Sequence, residues 1–172
     1  MDAVAQINEL DQQDDPVADV FVARQPIFWS DQKVMGYELL YRENAQASEA
    51  QGVSEGAMSS SVLVNALLAI GLKDVTGGTV AFINFTREAL LEEMAMLLDP
   101  GDVIIEIHES IRADGEVMAA CRRLREKGFV LALDDFEFSP DFVPLLEVSQ
   151  IVKVEVLGKT REELREMKER LA

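Results

Sequence analysis

The chain predicts an α/β fold built on a mostly parallel sheet, and three observations carry that reading. Short apolar runs of strand length alternate with stripes of helical spacing from residue 57 to the end. Two extended runs near the start are joined by a short turn, which makes an antiparallel hairpin. The run Val103-Ile104-Ile105-Glu106-Ile107-His108 is nearly continuous in its apolar character, as expected for a strand covered on both faces. Repeated βα units imply parallel strands with right-handed crossovers, and hence a barrel or a doubly wound sheet.

The elements follow in order. Residues 1–19 carry Asp2, Glu9, Asp11, Asp14, Asp15 and Asp19 with no Lys or Arg, and read as a solvated acidic lead-in. The folded domain is read over 20–172. Val20-Phe21-Val22-Ala23 and the following Gln-Pro-Ile-Phe form a first strand. Trp29 to Gln32 is a turn, and Lys33 to Arg42 a second strand. Met58, Val62, Asn65/Ala66 and Ala69 fall at helical spacing over 57–70, with Gly71 as a stop. Thr79 to Asn84 is a strand. Leu90, Leu91, Met94, Leu97 and Leu98 form the stripe of one helix, closed by Asp99-Pro100-Gly101. After the 103–108 strand, Val117, Cys121 and Leu124 share a helix face that ends near Gly128. Val130 to Asp134 is the next strand, and Ser139-Pro140 suits a helix start. Ile151 to Val156 is a further strand. Thr160-x-x-Glu163 is a capping box for a last helix whose buried side is Leu164, Met167 and Leu171.

Composition narrows function. The 172 residues include 32 acids and 16 bases, a formal net charge of −16. That excludes a nucleic-acid polymer as partner, because phosphate neutralisation needs a Lys/Arg face, while small anions remain within reach. One cysteine, Cys121, forms no internal disulfide and reads as core. No apolar run reaches the roughly 20 residues of a membrane helix, and the expected location is the cytoplasm. The methionines read as core filling, the lone His108 as a packed or hydrogen-bonded strand residue, and the charges of the last helix as a solvated face.

In parallel α/β folds, functional groups collect at the C-terminal ends of strands. Here those positions hold Glu38, Asn84, Glu106 with Glu109, Asp134 with Asp135, and Lys153 with Glu155. Carboxylates converging on one mouth require a compensating cation, and oxygen-only ligands select a hard ion such as Mg²⁺, Mn²⁺ or Ca²⁺. Lys153 alternates with Val152 and Val154 and faces the interior with Glu155. It could anchor a phosphate, hold a water, or neutralise an acid. There is no Gly-rich phosphate loop, no nucleophile elbow and no zinc spacing.

The segments Gln25-Pro26-Ile27, Gly36-Tyr37-Glu38-Leu39-Leu40-Tyr41-Arg42, Ile83-Asn84-Phe85-Thr86, Glu106-Ile107-His108-Glu109, Leu133-Asp134-Asp135-Phe136 and Ile151-Val152-Lys153-Val154-Glu155 lie within residues 20–157. In their order and spacing they resemble the EAL family of cyclic-di-GMP phosphodiesterases and their non-catalytic relatives. The wording around Gln25 and Glu38 resembles a subgroup in which the EAL-like part precedes an HDOD domain. The resemblance implies a TIM-like (β/α) barrel whose first strand is antiparallel. It also implies that Glu38, Asn84, Glu106, Asp134 and Asp135 hold Mg²⁺ or Mn²⁺, that Lys153 and Glu109 serve catalysis, and that Gln25 and Arg42 contact the dinucleotide. In active relatives two metals promote in-line attack of water on a phosphodiester of cyclic di-GMP.

This sequence also departs from the family pattern. Leu39 stands for the central Ala of the signature and His108 for a Thr. Glu137-Phe138-Ser139 stands for a Gly-Thr-Gly, which removes backbone freedom from that loop, and Glu155 stands for an Asp. The chain ends at Ala172, before the strands that carry the family's later glutamates, so the expectation is a partial barrel of six strands with an open edge. The function expected from these features is a degenerate signalling module that works by binding cyclic di-GMP, a protein partner or an HDOD domain of a longer parent. Self-association through the open edge is also expected. The alternative is a metal-dependent phosphodiesterase completed by another chain or by further C-terminal sequence.

Overall fold

The computed structural model describes residues 21–42, 71–140 and 142–171, together with Val64. The acidic lead-in and the 57–70 helix expected from the sequence lie outside the described residues, Val64 excepted, which is helical and buried. Six strands form one sheet in sequential order: β1 (Phe21–Phe28), β2 (Val34–Arg42), β3 (Val80–Phe85), β4 (Val103–His108), β5 (Val130–Asp134) and β6 (Ile151–Val152). Strands β1 and β2 pair antiparallel and every later pair is parallel. The hairpin turn closes by Trp29 N–H donating to the Lys33 carbonyl at 2.8 Å and Gln32 N–H to the Trp29 carbonyl at 2.9 Å. The helices are α1 (Leu72–Thr76), α2 (Arg87–Leu91), α3 (Gly115–Glu126) and α4 (Arg161–Leu171).

Strand alternation gives the sheet two different faces. On the outer face Leu39, Ala81, Ile83, Ile105, Ile107, Leu131 and Leu133 pack with Ala89, Leu90, Val117, Cys121 and Leu124 of the helices in one buried cluster. Each large side chain removed from water there contributes about 1.5–3 kcal/mol. Burial also pushes the Cys121 thiol up to about 11, as befits a core residue. On the inner face Phe82, Ile104 and Ala132 are buried against one another, with Ile27, Met35, Val80, Val130 and Ile151 around them. No described helix contributes to that second cluster, so the sheet curls over its own inner side chains.

Local sequence explains most boundaries. Asp114 caps α3, accepting from the Glu116 and Val117 amides at 3.0 Å each. The capping box of α4 is complete: Thr160 N–H donates to Glu163 Oε2 at 2.7 Å, and Glu163 N–H to Thr160 Oγ1 at 3.3 Å.

Four expectations are corrected. The single helix over Leu90–Leu98 is α2 followed by a separate 3-10 turn, Met94–Leu97, because Glu93 adopts a left-handed φ of 55° that interrupts the helical ladder. Ser139-Pro140 starts no helix: the Ser139 backbone carbonyl takes the Phe142 and Val143 amides, and a 3-10 helix begins only at Val143. Strand β6 spans two residues rather than six, since its ladder with β5 holds only the pairs Ala132–Ile151 and Leu133–Val152. Leu164, Met167 and Leu171 form the less exposed side of α4, but nothing covers them fully and no residue of that helix is buried. No helix among the described residues is long and apolar enough to cross a membrane.

Candidate acidic site on the inner face of the sheet

The site residues follow directly above the inner apolar layer. Phe82 and Asn84, Ile104 and Glu106, Ala132 and Asp134, and Ile151 and Lys153 are each two residues apart, so each polar group emerges on the same face as the apolar one before it. Register sets them side by side: Glu38 with Phe82, Asn84 with Glu106, and His108 with Asp134. At the end of β5 the Lys153 amide donates to the Leu133 carbonyl at 2.8 Å. Past it the Phe136 amide donates back to the Lys153 carbonyl at 3.0 Å, so both backbones are fixed there.

Lys153 is the centre of the arrangement. Its Nζ lies 2.9 Å from Glu38 Oε2, 2.7 Å from Glu106 Oε1 and 2.8 Å from Asp134 Oδ1. Asn84 Nδ2 donates to the other Glu38 oxygen at 3.2 Å. Glu38, Glu106 and Asp134 each offer an oxygen within 4.8 Å of the others. Glu106 is fully buried, and its Oε2 has no hydrogen-bond partner. Burial first, and Glu38 second, raise the Glu106 carboxyl to about 8 against the opposing pull of Lys153. Burial alone would lower the Lys153 ammonium, but Glu106, Asp134 and Glu38 outweigh it and hold the group protonated.

The other sequence candidates are placed differently. Gln25 is exposed on β1 and pairs in register with Glu38, so it occupies the same face of the hairpin. Arg42 is the last residue of β2. Asp135 is exposed, with a left-handed φ of 47° that turns the chain away after β5. Glu109 is exposed in the turn after β4. The expectation that Lys153 and Glu155 share a face is corrected. The ladder ends before Glu155, which is exposed and accepts the Leu157 amide at 2.7 Å. His108 is half-buried, its Nδ1 accepting the Ser110 amide at 3.1 Å. Sequence reasoning missed the apolar layer of Phe82, Ile104 and Ala132 that supports the site, although its period-two alternation with the site residues is visible in the chain.

Solved structures share this architecture. A standalone versatile EAL protein from Vibrio cholerae O395, in its c-di-GMP-bound form, matches with a TM-score of 0.62 at 21% identity, over 91% of this chain and 77% of that one. The Bacillus subtilis YkuI protein, with an EAL domain, in complex with substrate c-di-GMP and calcium, matches with a TM-score of 0.61 at 21% identity, over 88% of this chain and 45% of that one. The chain has the fold of the EAL domains. That fold is a TIM-like barrel, and the six strands among the described residues form part of it.

Two curated proteins resemble the chain in sequence. YuxH of Bacillus subtilis, an uncharacterized protein, is 37% identical over 152 residues, 85% of this chain and 37% of that protein. The cyclic di-GMP phosphodiesterase CdgJ of Vibrio cholerae is 28% identical over 145 residues, 84% of this chain and 34% of that protein. The chain thus spans little more than a third of the length of either relative. No protein-family description matches it.

Proposed function

We propose that this EAL-type chain is a bacterial signalling module that binds cyclic di-GMP together with a divalent cation, and that binding rather than hydrolysis is its task. The observation that supports this most is the trio of Glu38, Glu106 and Asp134, half-buried around a fully buried Glu106 whose second oxygen has no partner. An all-oxygen set of this kind fits Mg²⁺, Mn²⁺ or Ca²⁺. Glu38, Glu106 and Asp134 would hold the ion, with Asn84 as a further candidate ligand. When bound, the ion supplies positive charge against a phosphodiester's oxygens. Asn84 keeps the Glu38 carboxylate oriented, and Gln25 and Arg42 are the proposed dinucleotide contacts. An HDOD domain or another protein would read the bound state.

The weight falls on binding because three expected participants, Asp135, Glu109 and Glu155, are exposed rather than gathered at the trio. A second reading, a metal-dependent phosphodiesterase completed by further sequence or another chain with Lys153 and Glu109 as its catalytic groups, is favoured by the intact trio with Asn84 and Lys153. Calorimetric titration of cyclic di-GMP into the chain with Ca²⁺ is expected to show saturable binding that EDTA abolishes. Chromatography after incubation with Mn²⁺ or Mg²⁺ is expected to recover the dinucleotide unchanged. Recovery of the linear product would establish the second reading, and no heat in either case would remove the nucleotide from the account.

The open edge supports self-association as well. Beyond β6, Val156 and Leu157 are 58% and 81% exposed, beside the half-exposed stripe of α4. Light scattering at micromolar concentration is expected to report a dimer or larger species, and a monodisperse monomer would end that idea.

A further inference from the structure

We infer that Lys153 sets the cation affinity of this site by competing for it: its ammonium occupies the place between three carboxylates that a divalent ion must take. The inference rests on the proposed cation site and adds what this chain's own lysine does there. An ammonium has three donors, and here the three carboxylates Glu38, Glu106 and Asp134 receive them at 2.9, 2.7 and 2.8 Å. A hard divalent ion needs carboxylate oxygens at about 2.0–2.6 Å. An ion bound to the same three oxygens would sit almost where Nζ now sits. Two cations in contact in a buried pocket repel strongly, so one must leave.

The fold determines how it leaves. The Lys153 backbone is tied on both sides, to Leu133 and Phe136, so departure falls to the four-carbon side chain. That side chain is 28% exposed, which leaves a path outward from the trio. The site also has reason to accept a better cation. The lysine leaves Glu106 Oε2 unpartnered in a fully buried position, and three carboxylates exceed the charge of one ammonium. Lys153 therefore acts as a resident counter-ion that keeps the ion-free site folded and makes cation entry conditional on its own displacement.

The test is Mn²⁺ binding, read from the electron paramagnetic resonance signal of free Mn²⁺, to wild type, Lys153→Met and Lys153→Arg. Lys153→Met is expected to bind at least about tenfold more tightly than wild type, and Lys153→Arg no more tightly than wild type. Equal or weaker binding by Lys153→Met overturns the inference. Since that variant leaves three acids without a counter-ion and can fail to fold, wild type is also tested by reductive methylation, with the Lys153 peptide followed by mass spectrometry. Saturating Mg²⁺ is expected to raise Lys153 labelling several-fold, and unchanged protection would show that ion and ammonium coexist. If neither wild type nor Lys153→Met binds Mn²⁺, the cation site itself fails. If both bind alike, only the competition does.

Discussion

Glu106→Gln is expected to give a protein that is more stable than wild type at alkaline pH and unable to hold a divalent ion. The carboxyl is fully buried, and its ordinary value near 4.5 is raised to about 8, chiefly by burial and then by Glu38. A carboxyl with a raised value in the folded state contributes stability that is fully present below about pH 4.5 and is lost as the pH rises through about 8, because the folded protein holds the proton more tightly than the unfolded one. Glutamine keeps an oxygen for Lys153 Nζ and carries no charge. In metal-free buffer the two proteins are expected to melt at similar temperatures at pH 5. At pH 9 the variant should melt higher, by about 4–8 °C for a difference of about 2 kcal/mol. Its Mn²⁺ affinity is expected to fall by about a hundredfold or more, since a neutral amide replaces the most buried ligand. A variant less stable than wild type at every pH would show instead that the Glu106–Lys153 ion pair outweighs the cost of burying the charge.

Gly36→Ala is expected to cost about 3 kcal/mol, lowering the melting temperature by about 6–12 °C, and to weaken cyclic di-GMP binding at the same time. Gly36 pairs in register with Val80, and a Cβ built there would lie 2.3 Å from the Val80 carbonyl oxygen and 3.2 Å from the Phe82 ring. The obstacle is backbone, so no rotamer change relieves it, and β2 must move away from β3. Glu38 is two residues further along the same strand, on the same face, and its bond from Asn84 spans this junction. Thermal denaturation and calorimetry on one preparation check both effects. Unchanged melting would mean that the two strands separate freely at this point and that the close approach is not a constraint.

Different kinds of element were legible in the chain to different degrees. The strands over Val103–His108 and Val130–Asp134 could be read to the residue, because a strand covered on both faces needs an apolar run and polar groups end it. The α3 stripe of Val117, Cys121 and Leu124 and the Thr160–Glu163 box are local patterns with local causes, and they too could be read. The break at Glu93 could not, since nothing about a glutamate announces a left-handed φ. Nor could the two-residue length of β6, which depends on what lies beside it rather than on Ile151 to Val156 themselves.

The site divides along the same line. Period-two alternation places Glu38, Asn84, Glu106, Asp134 and Lys153 on one face, and that much belongs to the amino-acid sequence by itself. Glu38, expected at the end of its strand, stands instead in the middle of β2. Only the tertiary structure decides that Lys153 meets Glu38 across 115 residues and Glu106 across 47, while Asp135, Glu109 and Glu155 stay exposed. The physical reason is one of range. Side-chain direction along a strand is set by its own backbone, whereas the meeting of charges from four strands is set by register and by the curl of the sheet over Phe82, Ile104 and Ala132.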